Sequence, residues 1–233
     1  MRDEEIDKIL KQAAAQAPSN VDPALLDRIA KSVGSSLVPV RPLPPRWVLA
    51  SGLALVCAAV ALAGAARAGF FGIQAQSPLD RALIFPTLGI LIWLAATAAA
   101  GEAIPGSRRR AAPSTLLAAG SLALLAIFAV LFQDYRTERF VSQGIVCLAA
   151  GLLHAIPAAP ASWLLQRRGF AVNPVAAGLV VGTLAGLAGV GMLELHCRNL
   201  ETLHVMLWHT AVLPLSAAAG ALVGWAVTRR SAP

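Results

Sequence analysis

The sequence predicts an all-α membrane protein, a six-helix transmembrane bundle that follows a short cytoplasmic two-helix arm. Of its 233 residues, 57% are hydrophobic and only 13% are charged, whereas ordinary soluble domains carry about 25% charged residues. Six apolar segments each approach the roughly 20 residues that cross a bilayer as a helix. Arginine clusters follow every second segment, which is typical of cytoplasmic loops.

The first 46 residues contain two short amphipathic segments separated by a turn-forming Pro/Ser/Asn stretch at 18–20. Large aliphatic side chains recur with helical spacing in both segments: Ile6, Ile9 and Leu10 in the first, and Leu26, Ile29 and Val33 in the second. Four prolines between 39 and 45 predict a stiff link to the membrane. We therefore assign 1–46 to the arm with its link and 47–233 to the transmembrane domain.

The apolar segments predict spans at 47–69, 82–104, 114–132, 141–165, 174–193 and 205–227. Basic clusters follow spans two, four and six, at 108–110, 167–168 and 229–230. The excess of positive charge on cytoplasmic loops then places both termini in the cytoplasm of a bacterial inner membrane. The net charge of +7 is therefore explained by basic residues on cytoplasmic segments. Because it does not indicate a nucleic-acid-binding surface, we expect no direct contact with nucleic acid.

Small residues recur at four-residue intervals in the last two spans: Gly178, Gly182 and Gly186 in span five, and Ser216, Gly220 and Gly224 in span six. Such faces let helices approach closely. Packing within one bundle is the favoured interpretation, and a homodimer through the same faces is the alternative.

No sequence motif for catalysis is present. The chain lacks a phosphate-binding loop, a nucleophile elbow, a zinc-protease helix and a dinucleotide fingerprint. Acidic residues also fall at the edges of the predicted spans, including Asp80, Glu102 and Glu194, which argues against an ion-coupled transporter. We expect a protein that is not an enzyme and holds no resident cofactor.

The predicted external loop at 194–204 and the start of span six carry the residues His196, Cys197, His204 and His209. Thiols and imidazoles suit thiophilic metals, so transient metal binding is one interpretation. Interfacial anchoring with Trp208 at the headgroups is the favoured one. His204 and His209 are five residues apart, which would separate them by roughly 140° on an α-helix. In span four, His154 is best explained as a structural histidine.

The arm, the six spans and the late segment ELHCRNLETLHVMLWH together resemble the NrsF-type membrane anti-sigma factors. Members of that family are similar in size. The resemblance implies a protein that holds an extracytoplasmic-function sigma factor at the inner membrane until an envelope, metal or redox stress releases it. It covers nearly the whole chain in layout, and its specific part is the His-Cys pair before the last span with a Trp shortly after.

The resemblance also implies functional residues. The family's two sensing cysteines match Cys147 and Cys197, while Cys57 lies mid-span and should be inert. Cys147 falls inside span four, so we expect the two thiols to meet only if the 194–204 loop folds inward. We expect the arm to bind the sigma factor through Leu25, Leu26, Ile29 and Val33, with Ile6, Ile9 and Leu10 supplying the other helix face.

Two other functions stay open on the sequence alone. A small-molecule or metal-handling carrier could use the external His/Cys loop, although a carrier has no need of an amphipathic arm. The arm could instead lie on the inner leaflet, but its mixture of acidic and basic residues suits anionic lipid poorly.

Overall fold

The computed structural model describes residues 7–9, 11–12, 22–36, 43–104, 106–107, 111–166, 169 and 171–230. The chain divides into two compact units, Met1–Pro42 and Leu43–Pro233. The described residues form helices and their connections, and six helices are long and apolar enough to cross a membrane. The predicted fold class, an all-α chain with six spans, is confirmed.

The first unit contains the arm helix, Pro23–Ser36. Asp22 caps it by accepting a hydrogen bond from the backbone N–H of Ala24 at 2.9 Å. An ion pair of 2.8 Å joins Lys31 to Asp27 one turn earlier. Residues 7–9 and 11–12 are also helical, whereas Ile6, Leu10 and the predicted turn at 18–20 lie outside the described residues.

The arm carries apolar side chains that remain exposed: Ile9, Leu25, Leu26, Ile29 and Val33, each with 47–53% of its surface accessible. Leu26 and Ile29 are three residues apart and so lie on neighbouring positions of the helix surface. Exposed single hydrophobic residues are ordinary, but a run of them at helical spacing is typical of a partner-binding face.

The second unit contains the six spans: Arg46–Ala68, Pro78–Glu102, Pro113–Leu131, Phe140–Gln166, Pro174–His196 and Thr202–Arg230. A five-residue helix, Phe71–Ala75, connects spans one and two. Span six consists of a short helix Thr202–His204, a π-helical turn Val205–His209 and the helix Thr210–Arg230. Large apolar side chains stay exposed on the outer surface of the bundle, such as Leu55, Leu122 and Val130, as expected where lipid replaces water.

Spans two, five and six begin or end three or four residues away from their predicted bounds, and local capping explains the start of span two. Span two begins at Pro78, four residues earlier than expected, because Ser77 and Asp80 form a reciprocal capping box. Span five begins at Pro174 behind the Asn173 cap and continues to His196 instead of stopping at 193. Consequently Glu194 lies inside a helix. The arginine clusters at 108–110 and 167–168 lie outside the described residues.

Span five is the central helix of the bundle. Every residue from Gly182 to Leu195 is buried, and the helix contacts all five other spans, most extensively span six. A side chain at Gly178 would overlap the backbone of Gly220, and one at Gly182 would overlap the backbone of Ser216. The two small-residue faces therefore pack against each other inside one chain, so they are not free to form the homodimer seam considered from the sequence.

Candidate functional site

Three connections lie at the same end of the bundle because consecutive spans run in opposite directions. They are the segments 69–77, 132–139 and 197–201. This end of the bundle carries three further residues of interest. Cys197 directly follows span five, and His204 and His209 lie near the start of span six. Cys147 joins them from the second turn of span four.

The thiols of Cys147 and Cys197 are adjacent, with 3.4 Å between their sulfur atoms. Cys147 is half-buried and Cys197 is buried. From the sequence we expected the two thiols to meet only if the 194–204 loop folds inward. In the structure span five continues to His196, and the short connection 197–201 lies over span four, where Asn199 donates to Gln143.

Two imidazoles complete the group. The Nε2 atom of His204 lies 3.5 Å from the Cys197 sulfur, and one ligand atom from each of four residues lies within 4.8 Å of the others. We refer to these four residues, Cys147, Cys197, His204 and His209, as the thiol–imidazole cluster. Within the described part of the chain, these four side chains could together hold a metal ion.

A π-helical turn brings the two histidines together. The segment Val205–His209 is wound more widely than an α-helix, so residues five apart approach the same face. The rings of His204 and His209 meet edge to face with centroids 5.3 Å apart. The separation of roughly 140° expected from the sequence is therefore wrong, since it assumed regular α-helix.

A buried carboxylate orients His209. The Oε1 atom of Glu194 lies 2.7 Å from His209 Nδ1, and both side chains are 1% exposed. The amide of Gln76 donates to the other carboxylate oxygen at 3.1 Å and to the Glu194 backbone carbonyl at 3.2 Å. This network fixes the ring so that Nε2 is the nitrogen that faces away from Glu194, and Nε2 has no hydrogen-bond partner among the described residues.

Two polar contacts hold the neighbouring connections in place. Asn199 donates to the side chain of Gln143, one turn before Cys147, at 2.7 Å. The hydroxyl of Thr202 donates to the Phe132 carbonyl at 2.8 Å, and its backbone N–H donates to the Asp134 carbonyl at 2.7 Å. The connection 197–201 is thus tied both to span four and to the connection 132–139, which limits how far Cys197 can move.

Glycines allow the helices of the site to approach closely. Gly72, in the short helix between spans one and two, lies directly against the backbone of Glu194 and Cys197. Gly144, one turn before Cys147, leaves room for the indole of Trp208, which also packs on Phe140 with ring centroids 5.4 Å apart. The indole of Trp208 therefore packs against span four.

Other residues proposed from the sequence lie elsewhere. His196, included among the metal-ligand candidates, lies outside the cluster, because its Nδ1 atom contacts the Gly69 carbonyl at 3.0 Å and its ring packs on Phe71. Cys147 takes the fourth place instead. Cys57 is buried and contacts the Leu184 carbonyl at 3.5 Å, and His154 contacts the Ala150 carbonyl of its own helix at 2.8 Å.

The environment of Cys197 keeps its thiol protonated. The hydrogen bond with Cys147 and burial raise the pKa of the Cys197 thiol, and this outweighs the lowering by His204 and His209. Two reactions remain open to such a pair of thiols: oxidation to a disulfide, and deprotonation by a metal ion that binds them.

The sequence did not identify Gln76 and Glu194 as residues of the site. The predicted span five ends at 193, which leaves Glu194 at the edge of a loop, whereas the helix continues to His196. Gln76 lies 118 residues before Glu194, in a connection that carries no recognisable motif. The signal that could have found Glu194 was its position two residues before the His-Cys pair, on an otherwise apolar helix. An ionisable group at that depth usually has a functional partner.

A family model described as NrsF, negative regulator of sigma F, matches residues 34–229, which is most of the chain. No curated protein and no solved structure matches the chain. The matched region contains the whole thiol–imidazole cluster and begins near the end of the arm helix, so residues 1–33 precede it.

Proposed function

Because this chain belongs to the NrsF family of negative regulators of a sigma factor, we propose that it is a membrane-bound anti-sigma factor that releases its partner when the Cys147–Cys197 pair reacts. The partner is an extracytoplasmic-function sigma factor, held at the bacterial inner membrane. The match over 34–229 carries the regulatory function. The 3.4 Å approach of two thiols at one end of the bundle supports the sensing step.

The arm supplies the binding surface in this proposal. Leu25, Leu26 and Ile29 leave about half of their surfaces accessible, and an isolated helix of 14 residues is marginal in water. A partner that covers this face would both order the arm and bury its aliphatic side chains. Burial of each such side chain contributes about 1.5–3 kcal/mol, which is enough for a few residues to decide whether the complex forms.

The topology proposed from the arginine clusters places the arm and the sensing site on opposite sides of the membrane. In the sequence, the arginine clusters at 108–110, 167–168 and 229–230 follow spans two, four and six, whereas the arginines of the three connections beside the thiol–imidazole cluster are mixed with acidic residues such as Asp80, Asp134 and Glu201. Basic residues favour the cytoplasmic side. The cluster would then face the periplasm, an oxidising compartment in which disulfides persist.

Oxidation of the pair is a balanced two-electron step. The two thiols lose two protons and two electrons as the S–S bond forms, and hydrogen peroxide, as the oxidant, takes them up and becomes two water molecules. The sulfur–sulfur distance falls from 3.4 Å to about 2.05 Å. Because Cys197 directly follows span five, this step pulls the end of the central helix toward span four, and span five contacts every other span.

Sigma-dependent transcription from a reporter tests the proposal. We expect peroxide or cadmium to induce the reporter in cells that carry the natural chain, and the Cys147→Ser, Cys197→Ser double variant to remain uninduced. Cys57→Ser is the matched control, since that thiol is also buried but lies apart from the cluster, and it should respond normally. Unchanged induction in the double variant would rule out the pair, and loss of induction in Cys57→Ser alone would identify a different sensing thiol.

A further inference from the structure

The geometry of the thiol–imidazole cluster points to a resident metal. We propose that Cys147, Cys197, His204 and His209 form a closed tetrahedral site for one Zn²⁺ ion. Binding of the ion stands on the geometry of these side chains alone. Its regulatory consequence, described below, rests on the proposed anti-sigma function.

The spacing of the ligand atoms matches the edges of a zinc tetrahedron. Zn–S bonds of about 2.3 Å and Zn–N bonds of about 2.0 Å require S···S edges of about 3.8 Å and S···N edges of about 3.5 Å. The two sulfurs are 3.4 Å apart, the Cys197 sulfur is 3.5 Å from His204 Nε2, and the ligand atoms all lie within 4.8 Å of one another. Small side-chain adjustments therefore complete the tetrahedron.

The buried carboxylate supplies the support that zinc-binding histidines usually have. A ligating imidazole typically donates its other N–H to a carboxylate, which fixes the tautomer and the ring orientation. His209 has this arrangement, with Nδ1 at 2.7 Å from Glu194. Its Nε2 atom is buried and has no hydrogen-bond partner among the described residues. A buried nitrogen without a partner is costly, and a metal ion at the cluster would satisfy it.

Charge and ligand type select the ion. Two thiolates neutralise the two positive charges of Zn²⁺, so the filled site adds no net charge to a buried position. A set of two sulfur and two imidazole ligands in a tetrahedron is typical of zinc, whereas Mg²⁺ and Ca²⁺ require oxygen ligands. All four positions are taken by protein atoms, which is typical of a structural site and leaves no open place for a substrate.

A resident zinc ion would couple the site to the stimulus. The thiols that hold the ion are the same two that the proposed sensing step oxidises, so disulfide formation must expel zinc. Cadmium, which is more thiophilic, would compete for the same ligands. In the proposed function the zinc-bound state is then the state that retains the sigma factor.

Metal content of the purified full-length protein tests the site. We expect about one zinc ion per chain after purification in detergent under reducing conditions, measured by elemental analysis. Replacement of zinc by Co²⁺ should give the intense visible absorption of a tetrahedral site and a thiolate-to-cobalt charge-transfer band. Cys147→Ser, Cys197→Ser and His209→Ala should lose the ion, whereas Cys57→Ser and His196→Ala, which change a thiol and an imidazole outside the cluster, should keep it.

The variant Glu194→Gln distinguishes a positioned site from chance binding. It preserves side-chain volume but weakens the hydrogen bond to His209, so zinc affinity, measured by competition with a chelator, should fall about 10–100-fold. Zinc below one tenth of an ion per chain in the natural protein, or an octahedral cobalt spectrum, would overturn the proposal. If the natural protein binds zinc but the cysteine variants still induce the reporter, the zinc site is supported and the sensing function is rejected.

Discussion

The carboxylate of Glu194 lies 2.7 Å from the Nδ1 atom of His209, and both side chains are almost completely buried. Glu194 is on span five and His209 is on span six, so this contact joins the two helices that form the most extensive interface of the bundle. Gln76 fixes the same carboxylate from the connection between spans one and two. Three distant segments thus meet in one polar network beside the thiol–imidazole cluster.

The first prediction concerns that network. Gln76→Ala removes the donor to Glu194 and leaves a buried acceptor without its partner, so the free energy of unfolding should fall by about 1–3 kcal/mol. Unfolding of the protein in detergent, followed by circular dichroism, measures the change. Gln133→Ala is the control, because among the described residues that exposed amide donates only to backbone carbonyls at the end of the preceding span. Equal losses in the two variants would contradict a special role for Gln76.

The second prediction concerns the interface between spans five and six. A methyl group at Gly182 would overlap the backbone carbonyl of Ser216, so Gly182→Ala should destabilise the bundle by about 1–3 kcal/mol through overpacking. Gly89→Ala in span two is the matched control, since a side chain there meets nothing within 4 Å and alanine favours the helix. A comparison of melting temperatures in detergent should show a loss for the first variant alone.

The third prediction concerns topology. Alkaline phosphatase fused after Arg109 should be inactive, because the basic connection between spans two and three is proposed to be cytoplasmic. The same reporter fused near Thr137, in the connection between spans three and four, should be active. An active fusion at Arg109 or an inactive one at Thr137 would reject both the orientation and the proposed periplasmic position of the thiol–imidazole cluster.

The fourth prediction concerns the arm. Leu26→Asp and Ile29→Asp should each abolish copurification of the sigma factor. Each change removes about 1.5–3 kcal/mol of favourable apolar burial and also places a charge in an apolar interface. Asp27→Ala is the control on the same helix, since it removes only an exposed ion pair with Lys31 worth about 0.2–0.5 kcal/mol. Binding should survive in that variant. Retention of the sigma factor by Leu26→Asp would place the binding surface elsewhere.

The sequence by itself determined the membrane fold, since apolar runs of sufficient length can satisfy their backbone hydrogen bonds in lipid only as helices. It also indicated which small-residue faces pack, because Gly178 and Gly182 permit an approach that any side chain would prevent. Local hydrogen bonding decides the ends of helices, however, and the capping box formed by Ser77 and Asp80 sets the start of span two at Pro78, four residues before the predicted start.

Only the tertiary structure decided how the site is assembled. Cys147 and Cys197 are 50 residues apart in the chain, and Gln76 and Glu194 are 118 apart, so no local pattern relates them. The π-helical turn at Val205–His209 adds a second reason, because it changes which residues share a face and cannot be read from a regular helical period. Local periodicity thus specifies the helices, while their packing brings the cluster's ligands together.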